Sequence, residues 1–171
     1  MGKISKKTEM LLWALEKSID TGIRLYDFAQ NTHHYVYGMP NLNRYELYRI
    51  VSRLKKKGWV ETIKNENKVV VKLTSKGKNQ LAIEKALKSN KWDGKFRVVI
   101  FDIPEKNKKV RDILRWRLKA WGFKYLQKSL WVSKKDITEP IREFIKELGV
   151  EKWVMVLVCT DIGSARIFHD R

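Results

Sequence analysis

Two groups of residues in this chain have the types and spacing to do chemistry. The first is a carboxylate, Asp102, which ends the apolar run "FRVVIF" (96–101) and stands just before Pro104-Glu105. A carboxylate at the end of a buried strand is a hard oxygen donor, and Mg²⁺ or Mn²⁺ held there activates water for phosphodiester cleavage. Asp102 also suits a purely structural task. It can accept backbone N–H bonds where the "PEKNKK" helix begins, or pair with Lys106 or Arg111. Its one acidic neighbour is Glu105, so the metal reading stands as the alternative and the structural reading as the expectation. The second group lies in "NLNRYELYRIVSRLKKKG". At helical spacing, Arg44, Tyr45, Tyr48, Arg49 and Ser52 share the face opposite Leu47, Ile50, Val51 and Leu54. Guanidinium, phenol and hydroxyl groups on one helix face can hold phosphates, stack on sugars and read base edges. Asn43 and Arg53 belong to the same candidate surface.

Other chemistry is thin. His33 and His34 are adjacent, His169 is remote and Cys159 is the single cysteine, so no zinc set is spelled out. Ser129 has no suggested histidine partner, and no glycine-rich phosphate loop is present.

Charge selects the partner class. Lys and Arg number 37 against 19 Asp and Glu, a net charge of +18. Such a field draws polyanions, above all nucleic acid. Residues 1–94 carry 19 basic and 9 acidic residues, and residues 95–171 carry 18 and 10, so both halves are basic. Hydrophobic content of 43% argues against disorder. No apolar run nears the roughly 18 residues of a membrane span, and the lone cysteine in "WVMVLVC" reads as a buried thiol. A cytoplasmic protein with no membrane partner is expected.

The elements that position these residues fall into two halves, divided in "LKSNKWDGKF" by the Asp93-Gly94 turn. In the first half, residues 6–20 carry a helical stripe of Leu11, Leu12, Leu15 and Ile19 that Gly22 stops. "IRLYDFAQ" predicts a short helix with Leu25, Phe28 and Ala29 inward, and "HHYVYGMP" an aromatic connector that packs. A third helix starts at Asn41 or Asn43. "WVETIKNENKVVVKLT" predicts a hairpin around Asn65-Glu66-Asn67 with Lys64 and Lys68 near its tip, and "SKGKNQLAIEKALK" a last helix. Three helices and a basic hairpin make the winged helix-turn-helix order.

The second half begins with the strand "FRVVIFDIP". A helix follows, with Val110, Ile113, Leu114, Leu118 and Trp121 buried and Lys106, Lys108, Lys109, Arg111, Arg115 and Lys119 exposed. "KYLQKSLWVS" is expected as a strand kinked at Lys128-Ser129. "TEPIREFIKELG" is a helix capped by Thr138 and closed by Gly149, "VEKWVMVLVCTD" a central apolar strand, and "ARIFHD" a short edge strand. This succession fits a ferredoxin-like sandwich. Its sheet has one open face, which a second copy would cover.

Particular residues carry a family resemblance. "VSRLKKKGWVETI" resembles the segment joining recognition helix to wing in the winged-helix superfamily. Phe101-Asp102, Arg111 with Arg115, Gly122-Phe123 and "QKSLW" (127–131) resemble the CRISPR-associated Cas-two fold. "WDGKFRVVIFDIPEK" resembles more closely the central Cas-two-like domain of PaaX-type transcriptional repressors, which follows a winged helix in the same order. Cas-two proteins lack that winged helix; PaaX-type repressors usually continue into a C-terminal domain beyond the point where this chain stops. The resemblance implies a homodimeric regulator, a repressor, bound to double-stranded DNA and needing no cofactor. Residues 1–90 are its winged helix-turn-helix and residues 91–171 its Cas-two-like dimerisation domain. Candidate DNA contacts are Asn43, Arg44, Tyr45, Tyr48, Arg49, Arg53, Lys64, Lys68, Lys108, Lys109, Arg111 and Arg115. A metal-dependent endonuclease using Asp102 from both subunits is the alternative, with a non-catalytic architectural DNA-binding protein beside it.

Overall fold

A computed structural model of the chain describes residues 4–18, 22–38, 42–65 and 68–163. The backbone divides into two units, residues 1–81 and 82–171. The candidate cap Asn41, the hairpin tip Glu66-Asn67 and the predicted strand "ARIFHD" lie outside the described residues.

In the first unit, helix α1 (Lys6–Lys17) starts where the Ser5 hydroxyl accepts the Thr8 N–H, and buries Leu11, Leu12 and Leu15. A two-residue strand, β1 (Ile23–Arg24), leads into α2 (Leu25–Gln30). The expected connector contains a further helical turn, α3 (Thr32–Tyr35). Within it Tyr35 packs on Phe28, 5.2 Å between ring centroids, and donates its hydroxyl proton to Asp27. Tyr37, also expected to pack, is fully exposed. Helix α4 (Arg44–Lys56) is capped by Asn43, whose side-chain oxygen accepts the Glu46 N–H at 2.7 Å. Strands β2 (Val60–Asn65) and β3 (Lys68–Leu73) form the hairpin, paired from Val60↔Leu73 to Asn65↔Lys68. β1 lies on the outer side of β3, through Ile23↔Val71 and Arg24↔Val70. That pairing explains Gly22. Its φ is +72°, and a Cβ there would lie 2.7 Å from the Val71 carbonyl oxygen. Helix α5 (Ser75–Lys88) follows, and the division between the units falls inside it, after Leu81. The first core gathers Leu11, Leu12, Phe28, Leu47, Leu54 and Leu81. Each such side chain contributes about 2 kcal/mol by leaving water.

The second unit is one antiparallel sheet with helices on one side. Its elements are β4 (Phe96–Phe101), a 3₁₀ turn (Glu105–Asn107), α6 (Lys108–Ala120), β5 (Lys124–Gln127) and β6 (Leu130–Ser133). Helix α7 (Thr138–Leu148), a second 3₁₀ turn (Glu151–Trp153) and β7 (Val154–Cys159) complete it. The sheet order is β5-β6-β4-β7, with all pairs antiparallel. First strand between third and fourth, with helices in both crossovers, is the ferredoxin-like arrangement. One face, with Val99, Phe101 and Trp131, meets Leu114, Leu118, Ile141 and Phe144 of α6 and α7.

Four expectations change here. "KYLQKSLWVS" is not one kinked strand. It folds back at Lys128-Ser129 into the β5–β6 hairpin, pairing Gln127 with Leu130 and accommodating an irregularity between Tyr125 and Gln127. The apolar run of β7 is not buried throughout: among the described residues it pairs with β4 alone, Val154 and Val156 are partly buried, and Met155 is 57% and Leu157 40% exposed. Ile113 is 47% exposed, because the i, i+4, i+8 row Val110-Leu114-Leu118 takes the sheet-facing side of α6 and Ile113 falls beside it. Thr138 does not cap α7. The cap position is Ile137, with no side-chain bond, and Thr138 is the first helical residue. Gly149 does close α7, at φ +64°. Cys159 is half-buried, with its thiol free.

Candidate nucleic-acid interface

Helix α4 sorts its residues as the sequence pattern requires. Leu47, Ile50, Val51 and Leu54 are buried, and Arg44, Tyr45, Tyr48, Arg49, Ser52 and Arg53 are exposed on the other side. The helix is held at both ends. Lys7 pairs with Glu46 at 2.7 Å, and the Lys55 ammonium donates to the Thr62 hydroxyl of β2 at 2.8 Å. The exposed cations rest on aromatic faces: the Arg49 guanidinium lies 5.8 Å from the Tyr45 ring, and that of Arg44 lies 5.4 Å from Tyr26.

Three expected residues, Arg44, Tyr48 and Lys68, meet in one pocket of about 390 Å³ between α2, α4 and β3. Arg24 and Tyr26 join them there, and neither was anticipated. The only sequence signal was their place in "IRLYDF", which reads as helix; the β1 pairing of Arg24 with Val70 brings them to the hairpin. Asp27 also lines this pocket, yet its charge is anchored. Hydrogen bonds from Tyr35 and then Asn31 hold its carboxyl below the usual range. Burial, followed by the bond to Asp27, pushes the Tyr35 phenol up to about 12, so it remains a donor. Lys64 is exposed but does not join the pocket. It sits opposite Val69, whereas Lys68 sits opposite Asn65, so alternation sends the two lysines to opposite faces of the hairpin.

The second unit separates its expected basic residues. Lys106, Lys108, Lys109 and Lys119 are exposed. Arg111 and Arg115 instead fold onto their own unit. Arg111 pairs with Glu105 at 2.7 Å, while Arg115 donates to the Lys128 carbonyl at 3.2 Å and lies 3.5 Å from Asp112. The Arg111 guanidinium holds the Glu105 carboxyl below its ordinary value.

Asp102 is exposed, and its side chain neither caps nor pairs among the described residues. The 3₁₀ turn begins at Pro104, α6 is preceded by Asn107 with no side-chain bond, and Arg111 is taken by Glu105. Only the Asp102 backbone is tied, its N–H donating to the Trp153 carbonyl at 2.9 Å. Mg²⁺ is commonly held through one or two carboxylates with waters, and the described residues bring no cluster of three potential metal ligands together.

Sequence reasoning also missed Arg97. This guanidinium inside the strand run "FRVVIF" is 4% exposed. It donates to both oxygens of Asp93, at 2.6 and 2.7 Å, and pairs with Asp136 at 2.6 Å. The turn "WDG", the start of β4 and the entrance to α7 are thereby fastened together. That bond from Arg97, above all, lowers the Asp93 carboxyl to about 2.

No helix among the described residues is long and apolar enough to cross a membrane. No curated protein matches the chain. Among solved structures it is similar to an uncharacterised protein, Rv0674 from Mycobacterium tuberculosis, at 15% identity and a TM-score of 0.38. That likeness covers 89% of this chain and 60% of the other, so the chain spans about three-fifths of that protein's length. Residues 89–167 match the model of the PaaX protein central Cas2-like domain, and over that stretch the chain is PaaX-like.

Proposed function

We propose that this protein is a homodimeric, DNA-binding transcriptional repressor of PaaX-like type. The observation that carries the reading is the exposed face of α4, with Arg44, Tyr45, Tyr48, Arg49 and Arg53, beside a hairpin bearing Lys68. In this reading residues 1–90 are a winged helix-turn-helix, α4 enters the major groove and the β2–β3 hairpin is the wing. Asn43, Arg44, Tyr45, Tyr48 and Arg49 reach bases and nearby sugars. Arg53, Lys64 and Lys68 neutralise backbone phosphates, as do Lys108 and Lys109 of the second unit.

Dimerisation through the second unit is supported by the sheet face away from α6 and α7. Its cross-strand rows, Val132-Val98-Leu157 and Leu130-Ile100-Met155, are apolar; Val132 and Val98 are buried, and the exposure is concentrated on β7, at Met155 and Leu157. Exposed apolar side chains grouped on one strand favour a self-complementary partner. Selection of bound duplexes from a random pool tests the reading, because a dimer of winged helices enriches a near-palindrome. The unpaired, exposed carboxylate of Asp102 motivates one control. Cleavage of duplex DNA in Mg²⁺ or Mn²⁺ that is lost in Asp102→Ala would replace the regulator by a nuclease.

A further inference from the structure

We infer that the second unit carries a binding site for a nucleotide, built from Arg111, Arg115 and Lys128 around the aromatic pair Tyr125 and Trp131. These residues, with Glu105, line a pocket of about 500 Å³ between α6 and the β5–β6 hairpin. A second pocket of about 590 Å³ adjoins it, sharing Tyr125 and Trp131 and adding Lys119, Phe123 and Lys124. Volumes of this size accommodate small ligands.

Three observations point to an anionic, aromatic occupant. The first is charge: three cations line the pocket against one carboxylate, Glu105, which pairs with Arg111, while Arg115 lies 3.5 Å from Asp112, so Lys128 leaves the pocket net positive. A net positive pocket favours an anion.

The second is unfilled hydrogen-bonding capacity. Trp131 is 8% exposed, and its indole N–H is buried without a partner among the described residues; the Arg111 Nε–H on the same pocket wall is in the same state. Buried donors are nearly always paired, so these two are open to an added acceptor; the Trp121 indole N–H, which lines neither pocket, is also unpaired among the described residues. A phosphate supplies acceptor oxygens in the geometry a guanidinium matches.

The third is the exposed aromatic surface. Tyr125 is 70% exposed and lies 5.9 Å from Trp131 between ring centroids, at a tilt of 55°. Its free ring at the rim of a cationic pocket offers a stacking surface for a base. The phosphate then sits among Arg111, Arg115 and Lys128 while the base lies on Tyr125.

This inference stands apart from DNA binding by α4, and it removes Arg111 and Arg115 from the duplex contacts expected from sequence. Calorimetric titration of the full chain with adenosine monophosphate, inorganic phosphate and adenosine tests it. The monophosphate should bind at least tenfold more tightly than either fragment. Lys128→Gln and Tyr125→Ala should each weaken it at least tenfold, with the far-ultraviolet circular dichroism and duplex DNA affinity unchanged. Monophosphate affinity no greater than that of phosphate, or unmoved by both variants, would overturn the inference. So would a backbone contact in its place: no nucleotide binding, with duplex affinity lowered in Lys128→Gln and unchanged in Tyr125→Ala.

Discussion

The Asp93–Arg97–Asp136 cluster yields a prediction about which partner matters more. The Arg97 side chain is 4% exposed, whereas those of Asp93 and Asp136 are 42% and 70% exposed. Arg97→Met therefore leaves two carboxylates that water can reach, and removes the cost of burying a guanidinium. Asp93→Ala leaves that guanidinium buried with Asp136, the Lys95 carbonyl at 2.9 Å and a weak bond to Thr138 at 3.4 Å. Stranding a buried charge is costly, so Asp93→Ala should destabilise the fold more than Arg97→Met even with Asp136 retained. Arg97→Met loses charge-assisted bonds to groups that rehydrate, so about 1–2 kcal/mol is expected. Urea unfolding followed by tryptophan fluorescence reads both, since Trp121 and Trp131 lie in the core of this unit. The pH dependence carries a sign. The Asp93 carboxyl falls from 3.8 unfolded to about 2 folded, so its stabilisation is complete above pH 3.8 and is lost as pH falls through 2. Asp93→Ala removes this part of the acid dependence. Arg97→Met costing more than Asp93→Ala, or an unaltered acid limb in Asp93→Ala, would refute the reasoning.

Further outcomes follow from the two surfaces. Lys68→Gln should weaken duplex binding more than Lys64→Gln at low salt, because Lys68 shares its pocket with Arg24 and Arg44 while Lys64 faces the other way. Each substitution that removes a phosphate contact lowers the slope of log K against log salt by about 0.9 per chain, measurable by fluorescence anisotropy at several salt concentrations. Arg24→Gln should weaken binding to all sequences alike, whereas Arg49→Gln should also blur the base preference. Met155→Glu with Leu157→Glu places charges on the open face of the sheet. Sedimentation should then report a monomer with unchanged circular dichroism, and a retained dimer would show that the interface lies elsewhere.

Much of the architecture was legible because it rests on local pattern. The α4 stripe, its Asn43 cap and the α5 boundaries follow from periodicity and capping chemistry, and the family match covers the second half where the sequence resemblance was strongest. What escaped was decided by partners distant in sequence. Strand β1 is two residues long and exists only because β3 offers a free edge. The apolar content of β7 reads as buried on both faces, yet only Val154 and Val156 pack against the core, a sidedness that composition does not show. Arg97 sits in an apolar run as if it were a surface residue of a strand, and its burial rests on Asp93 in the preceding turn together with Asp136, thirty-nine positions on. Arg111 and Arg115 share helical spacing with Lys108 and Lys119, but Glu105 and the Lys128 carbonyl draw them inward.

Selection of duplexes from a random pool, with the full chain and in Mg²⁺ at physiological salt, tests the central claim most directly. The account predicts a near-palindromic consensus whose half-sites lie about one helical turn apart, recovered uncut and lost in the double variant Arg44→Gln, Arg49→Gln. Recovery of no preferred sequence, or of cleaved duplexes dependent on Asp102, would contradict it.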